Sequence, residues 1–171
     1  LGGTSSGFSS STTTSNEVTN ALVTKNVIGN FSATSTYSVA GIWSGTAATG
    51  TTTIANNMIY QMNSNGTFGD VAAGIWVGGG AQTTRVYYNT VDMNRAAQTG
   101  GGQASMALAI AGSNPVVDVK NNILTSTGST GANLNRAIAT LSGTITNLST
   151  DYNDLFVSGT GSTIAMTGLL T

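Results

Sequence analysis

The chain contains no cysteine and no histidine, and each absence excludes a class of chemistry. Without thiols the protein has no disulfide bond, no thiolate nucleophile and no zinc ribbon. Without imidazole groups it has no histidine-dependent catalytic triad, no imidazole base and no histidine metal site. Six acidic and five basic side chains remain for acid–base chemistry in 171 residues. We therefore predict that the protein is not an enzyme and carries no cofactor.

Charge is also scarce, since 6% of residues are charged against roughly 25% in an ordinary globular domain. Five cationic side chains and a net charge of −1 do not provide the basic patch that nucleic-acid binding requires. No apolar run approaches the roughly 18 residues of a membrane span. Abundant Ser, Thr and Gly in place of charge are typical of secreted surface proteins, which predicts an extracellular or cell-surface location. The chain starts at Leu1, and we interpret it as a processed protein or a segment of a longer one.

The residues that are abundant favour β-structure. Glycine contributes 23 residues, and 39% of the chain is hydrophobic. The apolar residues are mostly Val, Ile, Ala and Leu in short runs, a distribution more typical of strands than of helices. That apolar content is too high for a chain that is simply disordered.

A short segment of asparagine followed by aliphatic residues recurs five times, as in residues 25–30 (KNVIGN) and 121–126 (NNILTS). Aligning one asparagine from each segment gives spacings of 31, 32, 33 and 31 residues. A second segment, AGIWSG at 40–45, recurs as AGIWVG at 73–78 and more loosely at 107–112 and 136–143. Near-equal spacings of this kind indicate an internal repeat. The aligned asparagines are Asn26, Asn57, Asn89, Asn122 and Asn153.

This repeat predicts an all-β fold, a right-handed parallel β-helix (β-solenoid) of about five coils. Helical repeats of similar period need helix formers, whereas Gly and β-branched residues interrupt this chain every few positions. Each repeat forms one coil, coils stack at about 4.8 Å, and the crossover rule for parallel strands favours right-handed winding. Residues 1–15 are predicted to be a Ser/Thr/Gly-rich arm or linker, or a strand that docks on a neighbour. Residues 16–171 are predicted to be a single solenoid domain.

Stacking also predicts what the asparagines do. Amides that lie over one another can hydrogen-bond from coil to coil in an asparagine ladder. Asparagine also tolerates the unusual backbone dihedrals of a bend. We therefore place Asn122 and its four equivalents at the corner between two strands of each coil.

The asparagine-plus-aliphatic corners, the GIW strands and the stretches VYYNTVDM, VKNNIL and STDYNDLF resemble the right-handed parallel β-helix repeats of large bacterial surface and secreted proteins. Many proteins of that type are cargo of the type IX secretion system. The resemblance covers roughly residues 16–158 and implies the fold far more specifically than any activity.

The register also predicts which charged side chains meet. It places Arg85 beside Asp118, and Lys120 beside Asp151, each one coil apart. Opposite charges on stacked neighbours contribute roughly 0.2–1 kcal/mol, so we interpret these four residues as cross-coil ion pairs.

Trp43 and Trp76 share a register in the GIW segments. If Ile42 and Ile75 point into the core, strand alternation turns both indoles outward. Two stacked indoles can form a platform for sugar rings, or they can pack under loops or against a neighbouring protein. Carbohydrate binding through these residues is therefore the alternative function.

The β-helix enzymes of the pectate lyase type resemble this fold, and that resemblance implies an acidic Ca²⁺ cluster beside an Arg or Lys base. The nearest match is DYND at 151–154, where Asp151, Asn153 and Asp154 form only a weak metal candidate with Lys120 as the one close cation. Threonine runs at 12–14 and 51–53 raise the question of ice binding. A flat ice-binding face needs the same residue on every coil, yet Thr53 is followed in its column by Arg85 and Asp118.

Taken together, these features predict a non-enzymatic extracellular structural β-solenoid. We expect a stalk, an adhesin module or a filament subunit that assembles through open solenoid ends. The expected partners are further copies of the chain, neighbouring domains of a longer protein, or a surface glycan. A carbohydrate-binding or polysaccharide-degrading β-helix protein is the alternative.

Overall fold

The computed structural model describes residues 5–9, 20–33, 38–46, 49–64, 71–80, 82–94, 104–127, 135–141, 143, 145–159 and 161–167. All regular structure in these ranges is β-strand, and none of it is a helix that could cross a membrane. The strands are β1 (Ser5–Ser9), β2 (Leu22–Thr24), β3 (Val27–Ala33), β4 (Val39–Thr46), β5 (Thr51–Ala55), β6 (Met58–Ser64), β7 (Val71–Gly79), β8 (Thr83–Tyr87), β9 (Thr90–Asn94), β10 (Ala104–Ile110), β11 (Val116–Lys120), β12 (Ile123–Thr127), β13 (Asn135–Thr140), β14 (Leu148–Asp151), β15 (Asp154–Val157) and β16 (Thr163–Thr167).

These strands form three parallel sheets in which each strand pairs with the strand three places along the chain. Sheet 1 has the order β1-β4-β7-β10-β13-β16, sheet 2 β2-β5-β8-β11-β14, and sheet 3 β3-β6-β9-β12-β15. The chain therefore passes through sheets 2, 3 and 1 in turn and stacks each turn on the last. The predicted all-β parallel β-solenoid is confirmed. Its right-handed sense remains an expectation from the crossover rule.

The strand register places equivalent residues of successive turns beside one another. Sheet 2 aligns Val23, Ile54, Val86, Val119 and Thr150. Sheet 3 aligns Ile28, Ile59, Val91, Leu124 and Leu155. Sheet 1 aligns Ile42, Ile75, Leu108 and Ile138.

The core consists of these aliphatic columns, which point inward from the three sheets. Ile54, Ile59 and Ile75 are fully buried in it. Each such side chain contributes roughly 1.5–3 kcal/mol by leaving water, so every inner turn adds a similar apolar contribution. A second, smaller apolar cluster includes Ala73, Met106 and Ala109, which alternate with core residues along sheet 1.

In sheet 1, Gly41 and Gly74 lie close to side chains of sheet 3. A Cβ on Gly74 would lie 2.1 Å from the Val91 Cγ1 atom and 2.9 Å from the Ala107 backbone oxygen. A Cβ on Gly41 would likewise clash with the Ile59 side chain and with the Gly74 backbone. Glycine at these two turns therefore lets sheet 1 approach sheet 3 closely.

A buried polar cluster lies where sheet 1 leads into sheet 2. The Gln82 amide nitrogen donates to the hydroxyl oxygens of Ser44 and Thr84, at 2.9 Å each. The Thr52 hydroxyl donates to the Gln82 amide oxygen at 3.3 Å. Buried polar groups that satisfy one another in this way avoid the cost of unpaired donors.

One segment of the predicted arm belongs to the solenoid. Strand β1, Ser5–Ser9, pairs in parallel with β4, and Phe8 aligns with Ile42. Residues 5–9 of the predicted arm therefore form a sixth strand of sheet 1, added at the edge of β4. The rest of that arm lies outside the described residues.

Candidate functional site

A continuous row of asparagine side chains runs along the corner between sheets 2 and 3. Each side-chain amide nitrogen donates to the amide oxygen of the asparagine on the next turn, at distances of 2.8 to 3.0 Å. Each of these oxygens also accepts the backbone N–H of the preceding asparagine. The row, which we call the asparagine ladder, consists of Asn26, Asn57, Asn89, Asn122 and Asn153.

In most ladder members, the second amide hydrogen is donated to a backbone carbonyl of the turn before it. The Nδ2 atom of Asn57 donates to the Val23 carbonyl, and that of Asn89 donates to the Ile54 carbonyl, both at 2.9 Å. Asn57, Asn89 and Asn122 are nearly fully buried. Each inner asparagine thus joins three successive turns and leaves no amide group unpaired.

The ladder has a direction and two incomplete ends. In each of the four contacts, the amide nitrogen of one asparagine donates to the amide oxygen of the asparagine on the turn after it. At the first turn, the Asn26 Oδ1 atom accepts no hydrogen bond from any residue in the described ranges. At the last turn, the Asn153 backbone N–H has no acceptor within those ranges, although its amide nitrogen donates to Val119 and Thr150.

The unusual backbone conformation at this corner belongs to the residue before each ladder asparagine. That residue has a left-handed φ on every turn: Lys25 (58°), Asn56 (54°), Tyr88 (55°), Asn121 (57°) and Tyr152 (53°). Asn122 lies at the predicted corner between β11 and β12, and the left-handed residue there is its neighbour Asn121. We call these five residues the corner ridge.

One ion pair lies beside the ridge, and it differs from the predicted pairs. The Lys120 Nζ atom is 3.1 Å from the Asp118 Oδ2 atom, two residues apart on β11. Asp118 also accepts a hydrogen bond from the Tyr87 hydroxyl on the preceding turn. The Tyr87 hydroxyl and the Lys120 ammonium hold the pKa of Asp118 below its usual value, and Asp118 raises the pKa of Tyr87 and of Lys120.

The predicted pairs Arg85–Asp118 and Lys120–Asp151 do align across the strands. Neither is an ion pair within 4.0 Å, so both cross-coil pairs are wrong for the part of the chain that the structure describes. The reason is local, because Asp118 and Lys120 lie on the same face of one strand. The Tyr87 hydroxyl donates to the same carboxylate oxygen, Asp118 Oδ2, that Lys120 contacts.

Trp43 and Trp76 lie side by side in the register of β4 and β7. The neighbouring Ile42 and Ile75 are fully buried in the core. Both tryptophans are half-buried, and with Ser38, Val39 and Ala40 they line a small cavity of about 80 Å³. Trp76 also packs against the second apolar cluster. Much of their surface is therefore used in packing.

The three residues of the weak metal candidate, Asp151, Asn153 and Asp154, differ in their contacts and do not form one site. The Asn153 amide oxygen accepts two hydrogen bonds from Asn122 as part of the ladder. The Asp151 carboxylate accepts the Tyr152 backbone N–H at 2.9 Å. Asp154 is exposed at the start of β15. Within the described residues, no three His, Cys, Asp or Glu side chains converge on a position for a metal ion.

The last turn leaves core positions uncovered. Strands β14, β15 and β16 are the end strands of their sheets. Ile164 lies opposite the fully buried Ala137, yet it is 51% exposed. Leu155 and Val157 are only partly buried. The described ranges contain no further strand that would cover this end.

Sequence reasoning missed the tyrosines of the corner ridge. Tyr88 and Tyr152 are 59% and 77% exposed, more than either tryptophan. These tyrosines occupy the position directly before a ladder asparagine, so the repeat could have identified this position. Its residue type varies among Lys, Asn and Tyr. That variation hid a shared backbone conformation, because a left-handed φ constrains the main chain and leaves the side chain free.

Comparisons with protein-family models, with curated proteins and with solved structures found no match to this chain. The geometry of the solenoid is therefore the basis for a functional proposal.

Proposed function

We propose that the protein is a non-enzymatic extracellular structural β-solenoid whose copies associate end to end, as a stalk, an adhesin module or a filament subunit. The observation that carries the proposal is the pair of incomplete ladder ends. An extracellular location and a place among bacterial surface β-helix proteins, including type IX secretion cargo, belong to the same proposal. They are supported by the low charge and by the asparagine-plus-aliphatic repeat.

The two ends of the ladder complement each other. Among the described residues, the Asn153 backbone N–H at one end has no acceptor and the Asn26 amide oxygen at the other end has no donor. Stacking the two would repeat the contact that joins every inner pair of turns, where a backbone N–H reaches an asparagine oxygen at 2.8 to 3.1 Å. The same stacking pairs β14 with β2 and β15 with β3, and so covers Leu155.

Sheet 1 places one condition on this association. It has six strands against five in each of the other sheets, and the extra strand is β1 on the outer edge of β4. When β14 and β15 stack directly on the first turn of another copy, β16 arrives at the place that β1 occupies. End-to-end association therefore requires β16 of one copy to replace β1 of the next.

The non-enzymatic part of the proposal is supported by how the described carboxylates are used. Asp118 is held by Tyr87 and Lys120, and Asp92 accepts the Thr125 hydroxyl at 2.8 Å. These groups serve turn-to-turn contacts, so neither is positioned as one of a pair of catalytic carboxylates.

The test is light scattering on a size-exclusion column over a range of concentrations, with electron microscopy of the largest species. Ile164→Lys places a charge on the terminal strand, where it blocks strand addition, and is expected to leave only monomers. Ile123→Lys is the matched control, because Ile123 is 46% exposed on the side of the solenoid. It should associate like the unaltered chain.

Deleting residues 1–9 tests the role of β1. Because β1 and β16 compete for one edge, the shortened chain should associate at a lower concentration than the full chain. Monomers at every concentration for both chains would overturn the proposal. Association that Ile164→Lys leaves intact would overturn the assignment of the interface to the last turn.

A further inference from the structure

We propose that the corner ridge binds an extended neutral polysaccharide, whose sugar rings stack on Tyr88 and Tyr152 and whose hydroxyls reach Asn121 and Lys120. This site lies along the side of the solenoid, so it is independent of end-to-end association. It also differs from the tryptophan platform, which packing largely occupies.

The left-handed corner is what presents these side chains to a ligand. The residues with φ near 55° lie at the bend between two strands. Tyr88 and Tyr152 are 59% and 77% exposed there. A shallow cavity of about 190 Å³ opens beside Tyr88, lined by Tyr87, Tyr88, Lys120 and Asn121. Exposed aromatic rings beside a few polar groups are typical of ligand sites.

The spacing of the rings suits an extended chain. Tyr88 and Tyr152 lie two turns apart, which corresponds to roughly 10 Å at the usual separation of neighbouring strands. Asn121 occupies the turn between them. An extended polysaccharide can therefore place one ring on each tyrosine and a linkage or hydroxyl group over the amide.

The first tyrosine is held in place by its neighbours. Tyr87 and Tyr88 pack edge to face, with ring centroids 6.5 Å apart and planes at 74°. The Tyr87 hydroxyl is fixed by its hydrogen bond to Asp118. A ring that is already positioned loses little conformational freedom when a ligand stacks on it.

Hydrogen-bonding groups remain available beside the rings. The exposed Asn121 side chain makes no hydrogen bond with any described residue. The Lys120 ammonium uses one of its three donors on Asp118, at 3.1 Å. An amide and an ammonium can both donate to sugar hydroxyls, and the amide oxygen can accept from them.

The charge around Tyr88 and Asn121 selects against ionic ligands. Lys120 is paired with Asp118, Arg85 aligns with Asp118, and Asp151 aligns with Lys120. These two positive and two negative side chains balance, and the other ridge cation, Lys25, lies two turns before Tyr88, so this part of the ridge has no net charge to attract a sulfate, a phosphate or a uronic acid. The apolar face of a neutral sugar ring needs only the tyrosine surface.

The test replaces each tyrosine with a residue type that already occurs elsewhere on the ridge. Tyr88→Asn and Tyr152→Asn remove one ring each while introducing the residue that stands at Asn56 and Asn121. Asparagine tolerates a left-handed φ better than most residues, so both variants should fold. Tyr88→Phe keeps the ring and should bind like the unaltered chain.

The matched control is Phe156→Thr. Phe156 is also an exposed aromatic, at 55%, but it lies on sheet 3, and Thr125 occupies its column on the preceding turn. Removing it should leave polysaccharide binding unchanged.

The probes are four neutral polysaccharides, namely hydroxyethyl cellulose, arabinoxylan, galactomannan and laminarin, with polygalacturonate and heparin as acidic comparisons, in affinity gel electrophoresis. We expect at least one neutral polymer to retard the chain, and each asparagine variant to weaken that binding at least tenfold. Retardation by acidic polymers alone, or by none, would overturn the proposal. So would neutral binding that both asparagine variants retain.

Discussion

Asn89 lies in the middle of the asparagine ladder, and replacing it with alanine removes four hydrogen bonds at once. Its amide nitrogen donates to Asn122 and to the Ile54 carbonyl, and its oxygen accepts two donors from Asn57. The substitution leaves the Asn57 backbone N–H and one Asn57 amide hydrogen buried without an acceptor. At about 1–3 kcal/mol for each unsatisfied buried group, the expected loss is about 2–6 kcal/mol.

Asn26, the first member of the asparagine ladder, provides the comparison for this loss of stability. Asn26 is exposed, and its amide donates to Asn57 and to the Thr24 carbonyl. After Asn26→Ala, the Asn57 oxygen still accepts the backbone N–H of residue 26. No buried group is orphaned, so the expected loss is about 1 kcal/mol.

A third variant tests the hydrogen-bond direction. In Asn89→Asp the new carboxyl can still accept from Asn57, but it faces the Asn122 oxygen and the Ile54 carbonyl. Those acceptors favour its neutral form, so its folded pKa should lie above the unfolded value of about 3.9. The variant should therefore be most stable below that value and lose stability as the pH rises through the folded pKa.

Urea denaturation followed by the fluorescence of Trp43 and Trp76 measures all three variants, and amide hydrogen exchange at Asn57 reports the local effect. If Asn89→Ala costs no more than Asn26→Ala, the ladder does not hold the turns together in the way argued from its geometry. Exchange at Asn57 that stays as slow as in the unaltered chain would lead to the same conclusion.

Two further predictions concern the pH dependence and a glycine. Tyr87 and Lys120 lower the pKa of Asp118, so this contact stabilises the fold above the unfolded value of about 3.9 and is lost as the pH falls through the folded value. The urea midpoint should therefore fall less in acid for Asp118→Asn than for the unaltered chain, and parallel acid profiles would contradict this. Gly112 has φ of +90°, and a Cβ there would lie 2.1 Å from the Gly79 backbone oxygen, whereas Gly143 has no atom within 4 Å. Gly112→Ala should cost more than about 2 kcal/mol and Gly143→Ala less than about 0.5, as measured by thermal unfolding, and equal losses would refute the steric argument.

Much of the fold follows from the sequence because a repeat reports its own register. Once the asparagines were aligned, the column that contains Val119 and the column that contains Leu124 followed, and the structure pairs these residues as aligned. Strand β1 was harder to predict, because its Ser- and Gly-rich sequence resembles a linker. Its place is determined by the open edge of β4, which is a property of the assembled fold.

The candidate site was less predictable from the sequence, for a different physical reason. The register brings Arg85 and Lys120 close to the Asp118 carboxylate. Lys120 forms the ion pair because it lies only two residues from Asp118 on β11. Similarly, the ridge residues share a backbone conformation and not a side-chain type. Repetition in the sequence reveals positions that need the same side chain, and it conceals positions that need only the same φ.

The one-way order of the ladder also gives the solenoid an electrical polarity. From Asn57 to Asn153, each ladder oxygen accepts from the turn before it, so the amide carbonyl dipoles add along the axis, as peptide dipoles do in a helix. The end at Asn26 is therefore partially negative and has Lys25 beside it. The end at Asn153 is partially positive and is flanked by Asp151 and Asp154. Two copies that meet head to tail bring opposite fields and opposite charges together, whereas two that meet by like ends repel each other. A fibre of this protein would thus be polar along its length, with two chemically distinct tips.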